Sequence, residues 1–354
     1  MTTPLADILI ARIAATGPIT VADYMAECLL HPEHGYYTTR PPFGTEGDFI
    51  TAPEISQMFG ELIGLALGQA WMDQNGPAGA ILAEVGPGRG TLMADMQRVL
   101  GRLPGAEGLV PHLVEASPRL RAEQARVVPG ATWVDDIFAL PEGPLFLVAN
   151  EFFDALPIRQ FVRTETGWSE RMVGLAEDAL SFGMSQSAPL AALDHRLHDT
   201  RPGDLVETCA PALPIITEIS RRIADHGGAA LIIDYGGWHS QGDTLQALRK
   251  HVTDHPLAHP GHADLTAHVD FEPLAQAAAE AGAQCAALTA QGVFLERLGI
   301  TTRAQALARA MSGAQLDAHI AAHRRLTHPD EMGNLFKVLG VTPVGGPRLA
   351  GTVN

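Results

Sequence analysis

The feature that most constrains the fold is a glycine-rich loop directly after a short apolar run. The run 80–85 leads into Glu84-Val85-Gly86-Pro87-Gly88-Arg89-Gly90-Thr91, and a helical pattern follows at 90–100. Glycines in such a loop permit positive φ angles and a close approach of the backbone to a ligand. In open parallel sheets, ligands bind at the carboxyl ends of the strands. The loop therefore predicts a ligand site where a buried strand ends.

Further apolar runs alternate with helical patterns along most of the chain. The predicted strands cover 110–114, 131–134, 145–149, 229–233, 283–289 and 334–341, and the predicted helices include 54–72, 118–126, 211–226 and 271–281. Short, fully apolar strands separated by helices are typical of a parallel sheet covered on both faces. We therefore predict an α/β fold with a Rossmann-like core, a mostly parallel sheet and helices on both faces.

The remaining segments are predicted to be additions to that core. The expected organisation is N-terminal helices with a lid loop (1–53), a core (54–290) with a hairpin insertion (158–186), a helical insertion (291–330), and a final strand with a tail (331–354). A length of 354 residues also allows two domains, so a two-domain division is left open.

Composition excludes several classes of protein. A hydrophobic fraction of 46% excludes a disordered chain, and a net charge of −16 disfavours nucleic acid as a partner. The cysteines Cys28, Cys209 and Cys285 fit no zinc spacing and favour a reducing compartment. The chain has no apolar run near the ~18 residues of a membrane helix and no signal-peptide pattern. We expect a protein that is not membrane-embedded, cytoplasmic in a bacterium or in the mitochondrial matrix of a eukaryote.

The spacing of the glycine loop separates two classes of cofactor. Dinucleotide enzymes show G-x-G-x-x-G or A, and here Thr91 occupies the last position. The pattern E-x-G-x-G-x-G instead resembles motif I of class I S-adenosylmethionine-dependent methyltransferases. An acid beside the loop suits a cationic amino-acid tail and would repel a pyrophosphate. Glu84, Gly86, Gly88 and Gly90 are therefore candidate contacts for S-adenosyl-L-methionine, with a nicotinamide-dependent oxidoreductase as the alternative.

The next two predicted strands also end in acids. Glu115 follows the strand at 110–114, where a carboxylate accepts hydrogen bonds from both ribose hydroxyls of an adenosyl group. The strand at 131–134 is followed by Asp135, Asp136 and Ile137. We expect Asp136 or a neighbour to accept a hydrogen bond from the adenine amino group and Ile137 to pack on the ring.

The fourth predicted strand carries the candidate chemistry. It ends in Asn150-Glu151-Phe152-Phe153-Asp154-Ala155-Leu156-Pro157. This run resembles the Asn-led motif of amino-group methyltransferases, with Glu151 in place of the usual proline. Asn150 is expected to orient the acceptor nitrogen, while Glu151 and Asp154 hold a guanidinium and take its proton. The two phenylalanines add a cation–π face, or serve only as core.

Five motifs together resemble the MidA family. They are GDFITAPEIS (47–56), EVGPGRGTL (84–92), NEFFDALP (150–157), DLTAHVDF (264–271) and EMGNLFK (331–337). The resemblance implies a class I methyltransferase linked to the assembly of respiratory complex I. It also implies a protein substrate, because mitochondrial members symmetrically dimethylate an arginine of a core peripheral-arm subunit. By resemblance, this chain is expected to perform the same reaction with S-adenosyl-L-methionine.

The same resemblance extends the list of candidate site residues. It places the segment 47–56 near the cofactor entrance, where Asp48 and Thr51 are candidate contacts of a lid. It places 264–271 on the substrate side, where His268 is a second acid or base candidate. The segment 234–237 is expected to border the acceptor channel.

Other features lead to weaker interpretations. A histidine-rich loop is predicted at 249–268. Its histidines are interrupted by Pro256 and Pro260, so no single helix presents them to a metal and no metal site is predicted. The helices at 291–326 and the long loop at 31–53 also fit a non-catalytic assembly chaperone that has kept the fold. A homodimer is left open.

Overall fold

The structure is a computed structural model in which residues 3–39 and 50–353 are described. Its helices are α1 (Pro4–Thr16), α2 (Val21–Leu30), α3 (Tyr36–Thr39), α4 (Ala52–Ile55), α5 (Gln57–Asp73), α6 (Thr91–Leu100), α7 (Pro118–Val127), α8 (Ala212–His226), α9 (Phe271–Glu280), α10 (Gln291–Arg297), α11 (Ile300–Ala308) and α12 (Gly313–Thr327). Shorter helical turns cover Ala106–Gly108, Ile137–Ala139, Ala191–Leu197 and Pro329–Gly333.

The strands follow the same chain order. They are β1 (Ile19–Thr20), β2 (Ile81–Val85), β3 (Val110–Val114), β4 (Thr132–Val134), β5 (Leu145–Asn150), β6 (Arg159–Arg163), β7 (Trp168–Ala176), β8 (Ala179–Met184), β9 (Leu205–Thr208), β10 (Gly228–Gly237), β11 (Gln246–Arg249), β12 (Val252–Asp254), β13 (Asp264–Thr266), β14 (Val269–Asp270), β15 (Ala283–Cys285), β16 (Thr289–Ala290) and β17 (Phe336–Pro343).

The chain divides into two compact units, each built from separate stretches of sequence. The first unit takes 1–49, 154–212 and 239–270, and the second takes 50–153, 213–238 and 271–354. The predicted hairpin insertion at 158–186 falls in the first unit. The domain boundaries given by the sequence stay a prediction.

The first unit contains two antiparallel sheets and the N-terminal helices. One sheet has the order β1-β7-β6-β9 with β8 paired to β7, and the other has the order β12-β11-β13. A tight turn at Glu177-Asp178 joins β7 to β8, and both residues have positive φ (48° and 62°). Thr20 caps α2 in a capping box with Asp23. The core gathers apolar residues from α1, α2 and the strands: Leu5, Leu9, Tyr24, Met25, Leu29, Val173 and Leu265.

The second unit is built on a mixed sheet that confirms the predicted parallel core. The sheet order is β15-β17-β10-β5-β2-β3-β4. The neighbours β10-β5, β5-β2, β2-β3 and β3-β4 are parallel, and β17 runs antiparallel to β10. Every residue of β2 and β5 is buried, as expected of strands covered on both faces.

Helices α5 and α6 pack against each other at short range because α5 carries glycines every fourth residue. A Cβ built on Gly60 would lie 2.6 Å from the Cβ of Asp95, and one on Gly64 would lie 2.8 Å from the Cα of Met96. A Cβ on Gly68 would lie 2.7 Å from Leu100 Cδ2. The spacing 60, 64, 68 places all three glycines on one helix face, so that face follows the backbone of α6.

Three segments differ from the sequence prediction. The helix expected at 54–72 is two helices, because Ser56 is extended (φ −160°, ψ 134°) and its hydroxyl caps α5 by accepting from Met58 N–H. The strand expected at 283–289 is divided into β15 and β16. The histidine-rich segment 249–268 contains strand pairing and is not loop alone. In the described part of the chain, no helix is long and apolar enough to cross a membrane.

Candidate functional site

The predicted site residues of the second unit lie along one edge of its sheet. Strands β2, β3, β4 and β5 are parallel neighbours, so their carboxyl ends meet at the same edge. In register, Glu84 of β2 lies beside Leu113 of β3 and Val148 of β5. The edge therefore collects the acids and amides at the strand ends: Glu84, Glu115, Asp136, Asn150 and Glu151.

The glycine loop has the conformation that its sequence predicts. Gly86, Gly88 and Gly90 all have positive φ, at 66°, 53° and 85°. A Cβ on Gly86 would lie 2.8 Å from the ring of Phe152, and one on Gly90 would lie 3.0 Å from Val128. Side chains at these positions would have to displace their neighbours. The backbone conformation and the close packing of the loop at the start of α6 therefore both require glycine at these positions.

Glu84 is a buried acid with spare hydrogen-bonding capacity. It is 3% exposed, one oxygen accepts from the backbone N–H of Met93, and Oε2 has no partner among the described residues. Burial raises the pKa of this carboxyl well above its ordinary value. An unpaired buried oxygen is costly, so the site fits a ligand that supplies a donor.

Glu115 follows β3 directly and is held by its own chain. Oε1 accepts from the backbone N–H of Ser117 at 2.7 Å, and Oε2 accepts from Gln124 Nε2 at 3.3 Å. Burial raises the pKa of Glu115, while the hydrogen bonds from Ser117 and Gln124 oppose that rise. Each oxygen keeps a further lone pair, so the carboxylate can accept from two hydroxyls.

The end of β4 carries two exposed acids and one buried apolar side chain. Asp136 caps the short turn 137–139 by accepting from Ala139 N–H at 3.0 Å, and Ile137 is 2% exposed. Its neighbour Asp135 pairs with Arg121 at 2.5 Å. Asp136 thus keeps one oxygen for another partner, and Ile137 presents an apolar side chain next to it.

The end of β5 holds Glu151 in an unusual backbone conformation. Its φ is 51°, a left-handed value that is rare outside glycine and asparagine. Glu151 Oε1 accepts from Ala52 N–H at 3.0 Å and from Asn150 Nδ2 at 3.2 Å. Asn150 is 8% exposed, and its Oδ1 has no partner among the described residues. The strand end therefore presents a fixed carboxylate next to an available amide oxygen.

A buried aspartate stabilises the turn that follows Glu151. Asp234, at 0% exposure on β10, accepts from the backbone N–H groups of Phe152 at 3.2 Å and Phe153 at 3.0 Å. It also accepts from Tyr235 N–H at 3.0 Å. Three backbone donors on one carboxylate satisfy groups that the left-handed turn would leave unpaired.

A single short turn contacts both the glycine loop and the end of β5. Within α4, Glu54 Oε1 accepts from the Thr91 hydroxyl at 2.5 Å, and Oε2 lies 3.6 Å from Arg89. Ala52 of the same turn is the donor to Glu151. Thr51 precedes α4 at its N-cap position without a side-chain capping bond. Asp48 lies outside the described residues.

The two remaining catalytic candidates belong to the first unit and are linked there. Ala267 N–H donates to the carbonyl of Asp154 at 2.9 Å, which joins the backbone of Asp154 to the segment that carries His268. The His268 N–H donates to the Thr244 hydroxyl at 2.8 Å, and that hydroxyl donates to buried Glu207. Asp154 is 6% exposed. The backbone of Asp154 and the segment that carries His268 are therefore joined within the first unit.

Sequence reasoning missed several residues that shape the second unit's part. Glu54 could have been found from the sequence, because it lies within the motif 47–56. Gln124 and Trp133 lie in none of the five motifs, so no sequence pattern identifies them. Gln124 is completely buried and donates to the carbonyl of Gly88 at 2.8 Å. In the described ranges 3–39 and 50–353, no group of three histidine, cysteine, aspartate or glutamate side chains is arranged to hold a metal ion.

Comparison with known proteins agrees with this geometry. A family model of S-adenosyl-L-methionine-dependent methyltransferases matches residues 62–289. The chain is 38% identical to the mitochondrial protein arginine methyltransferase NDUFAF7 of Xenopus laevis, over 95% of this chain and 83% of that protein. It is 38% identical to human NDUFAF7 over 96% of this chain and 84% of that protein.

A solved structure has a closely similar fold. The crystal structure of a protein from Burkholderia thailandensis bound to S-adenosyl-homocysteine superposes with a TM-score of 0.85 and 30% sequence identity. The superposition covers 98% of this chain and 93% of that one. A second crystal structure from the same organism gives a TM-score of 0.83 at 31% identity, with the same shares covered. The predicted methyltransferase-like α/β fold is confirmed.

Proposed function

We propose an arginine acceptor, on the premise that this chain belongs to the family of S-adenosyl-L-methionine-dependent methyltransferases. Family membership makes the protein a methyltransferase that uses S-adenosyl-L-methionine, and it leaves the nicotinamide alternative without support. The proposed acceptor is the guanidinium of an arginine in a protein. It is supported by the names of the relatives, which are protein arginine methyltransferases at 38% identity.

The observation that carries the proposal is the fixed carboxylate of Glu151. A guanidinium stays protonated at neutral pH and binds carboxylates through paired N–H donors. Glu151 is held at the end of β5 by hydrogen bonds from the Ala52 N–H and from Asn150 Nδ2, so the carboxylate has a fixed position at the strand end. Asn150 Oδ1, buried and unpartnered among the described residues, offers one more acceptor of N–H donors. These groups suit a cationic, planar, N–H-rich acceptor.

The chemistry needs alignment, exclusion of water and a place for one proton. When bound, S-adenosyl-L-methionine supplies a methyl carbon on a sulfonium, and the carbon–sulfur bond breaks as the carbon–nitrogen bond forms. We assign Asn150 to orient the attacking nitrogen, and Glu151 and Asp154 to hold the guanidinium. One of these carboxylates accepts the proton that the methylated nitrogen releases, with His268 as a second acceptor.

The proposed cofactor contacts are mostly residues at the carboxyl ends of the parallel strands. We assign the loop Gly86, Gly88 and Gly90 to backbone contact with the cofactor and Glu84 to its amino-acid end. Glu115 accepts from the ribose hydroxyls. The other proposed contacts are Asp136 and Ile137 at the adenine, and Asp48 and Thr51 at the entrance.

The finer substrate proposal is symmetric dimethylation of an arginine on a core peripheral-arm subunit of complex I, in support of its assembly. It is supported by the family resemblance of the five motifs and by the relatives' names, which place those proteins in mitochondria. We propose that this chain acts in the compartment that the peripheral arm faces, the bacterial cytoplasm or the mitochondrial matrix.

The test is methyl transfer to defined protein acceptors. Purified enzyme is incubated with methyl-labelled S-adenosyl-L-methionine and each peripheral-arm subunit of complex I from the same organism, and products are mapped by mass spectrometry. We expect one subunit to gain two methyl groups on one arginine, one on each terminal nitrogen. Substituting that arginine with lysine should abolish labelling. Label on another residue type, or on none of the subunits, would overturn the proposal.

A further inference from the structure

The interior contact between the glycine loop and the end of β3 runs through one side chain, Gln124 of α7. Its Nε2 donates to the carbonyl of Gly88 at 2.8 Å and to Glu115 Oε2 at 3.3 Å. Its Oε1 accepts from the indole N–H of Trp133 at 2.8 Å. Gln124 is 0% exposed. One buried amide thus touches the loop, the strand-end acid and β4.

The orientation of this amide is fixed by chemistry. An indole N–H only donates, so its partner must be the amide oxygen of Gln124. The two amide hydrogens are then directed away from Trp133 and toward two acceptors, the Gly88 carbonyl and the Glu115 carboxylate. Reversal of the amide would lose all three hydrogen bonds and place the oxygen against two other oxygens.

The methylene groups of the Gln124 side chain pack next to the glycine loop. A Cβ on Gly90 would lie 3.4 Å from Gln124 Cγ and 3.0 Å from Val128 Cγ2. Gly90 therefore packs against α7 next to Gln124, the residue whose side chain hydrogen-bonds to Gly88. The loop's position is set by contacts with α7 as well as by its own glycines.

We infer that Gln124 is a positioning residue for S-adenosyl-L-methionine binding, which holds the loop at Gly88 and the carboxylate of Glu115 at the separation the cofactor needs. Gln124 need not touch the cofactor to do so. The inference rests on the cofactor assignment of the proposed function and is independent of its arginine acceptor. It predicts a defect in cofactor affinity that is separate from catalysis.

The key variant is Gln124→Met, which keeps the size of the side chain and removes all three hydrogen bonds. S-adenosyl-homocysteine binding is measured by titration calorimetry on the full chain. We expect the Kd to rise about tenfold or more, since each tenfold corresponds to about 1.4 kcal/mol, the scale of one or two hydrogen bonds. At saturating cofactor, kcat should stay within about threefold of wild type, and the rise should appear in KM for the cofactor.

Gln74 provides a matched control in the same unit. Its side chain also makes two hydrogen bonds to backbone, with Nε2 donating to Gly228 O at 3.0 Å and Oε1 accepting from Gly228 N–H at 2.8 Å. Gly228 begins β10, at the edge of the sheet away from the strand carboxyl ends. Gln74→Met should lower the free energy of unfolding to a similar degree and leave the Kd for S-adenosyl-homocysteine unchanged.

Gln124→Glu separates positioning from folding. It keeps an acceptor for the Trp133 indole, so that hydrogen bond is retained, whereas Gln124→Met removes it. The new carboxylate opposes the Gly88 carbonyl and Glu115, so the Kd should rise as in Gln124→Met. If Gln124→Met does not fold, this variant alone decides the question.

Wild-type affinity for S-adenosyl-homocysteine in a folded Gln124 variant would overturn the inference, as would an equal affinity loss in Gln74→Met. Failure of wild type to bind the ligand would overturn it as well. A wild-type enzyme that binds the ligand but methylates no arginine would overturn only the proposed acceptor.

Discussion

Glu151 Oε1 accepts a hydrogen bond from the backbone N–H of Ala52 at 3.0 Å, across 99 residues of sequence. The same turn that contains Ala52 also carries Glu54, whose carboxylate accepts from the Thr91 hydroxyl in the glycine loop. One short helix therefore connects the fixed acid at the end of β5 with the loop at the end of β2. This explains why the motif 47–56 accompanies the other two motifs in the sequence.

The first prediction concerns the charge of Glu151. Gln at this position keeps the acceptor oxygen for Ala52 and removes the carboxylate. Glu151→Gln should bind S-adenosyl-homocysteine within about twofold of wild type and lose about 100-fold or more in kcat, the scale of general acid–base catalysis. Calorimetry and single-turnover transfer of labelled methyl give the two values.

The exposed acid Glu165 supplies the control for this substitution, because Glu165→Gln makes the same change of charge in the first unit. It should leave both values unchanged. A Glu151→Gln enzyme that methylates at the wild-type rate would exclude Glu151 as a catalytic residue. If it fails to methylate and yet restores complex I assembly in cells that lack the protein, the chaperone hypothesis would be favoured.

The second prediction concerns the contact between Glu54 and Thr91. A double-mutant cycle of Thr91→Val and Glu54→Ala, read by urea unfolding, should give a coupling of about 1 kcal/mol or more, because a half-buried hydrogen bond to a charged acceptor is strong. The cycle of Arg89→Ala with Glu54→Ala should give less than about 0.5 kcal/mol, because Arg89 is half exposed at 3.6 Å. Equal couplings would contradict this ranking.

The sequence predicts the features of the site that are encoded locally, and it does not predict contacts between residues far apart in the chain. Strand ends could be located because apolar runs stop at acids, and parallel neighbours bring those ends together without further information. The contacts from Gln124 to Gly88, from Thr91 to Glu54 and from Phe152 to Asp234 span 36, 37 and 82 residues. No local pattern encodes such pairs, because they depend on how α7, α4 and β10 pack against the loop and the turn.

The glycines of α5 show a different limit. Their spacing at 60, 64 and 68 is visible in the sequence. The sequence does not show that α6 is the helix that packs against them. Likewise Ser56 reads as part of a continuous helix until its extended backbone and its bond to Met58 divide that helix in two. Local propensity is here overridden by tertiary packing and by a side-chain cap.

The third prediction concerns this close packing. Gly64→Ala would place a Cβ 2.8 Å from the Cα of Met96 and 2.9 Å from Val99 Cγ2. Although alanine favours helix by about 1 kcal/mol, overpacking against backbone should lower the free energy of unfolding by about 1–3 kcal/mol net. Leu65→Ala, at a 43% exposed position of the same helix, should change it by less than about 1 kcal/mol. A stabilised Gly64→Ala protein would contradict the packing argument.

The fourth prediction concerns Asp234, which serves three backbone donors at the turn after Glu151. In Asp234→Asn, the amide nitrogen faces N–H groups that need an acceptor, so the free energy of unfolding should fall by about 2–4 kcal/mol. Because the turn positions Glu151, kcat should fall as well. Asp225→Asn, an exposed partner of Arg221, is the control and should change neither value appreciably. An unchanged kcat in folded Asp234→Asn would show that the turn does not contribute to catalysis.

The fifth prediction is a pH dependence set by Glu84. Burial raises the pKa of this carboxyl well above its ordinary value, against the opposing hydrogen bond from Met93. Above the ordinary glutamate pKa of about 4.3, the unfolded chain releases a proton that the folded chain keeps. The contribution of Glu84 to the free energy of unfolding therefore falls as pH rises from the pKa of Glu84 in the unfolded chain toward its higher pKa in the folded protein. Glu84→Gln carries no titrating group, so urea unfolding of the cofactor-free protein between about pH 5 and 8 should show a less negative slope than wild type. An unaltered slope in Glu84→Gln would mean that Glu84 is ionised in the folded protein.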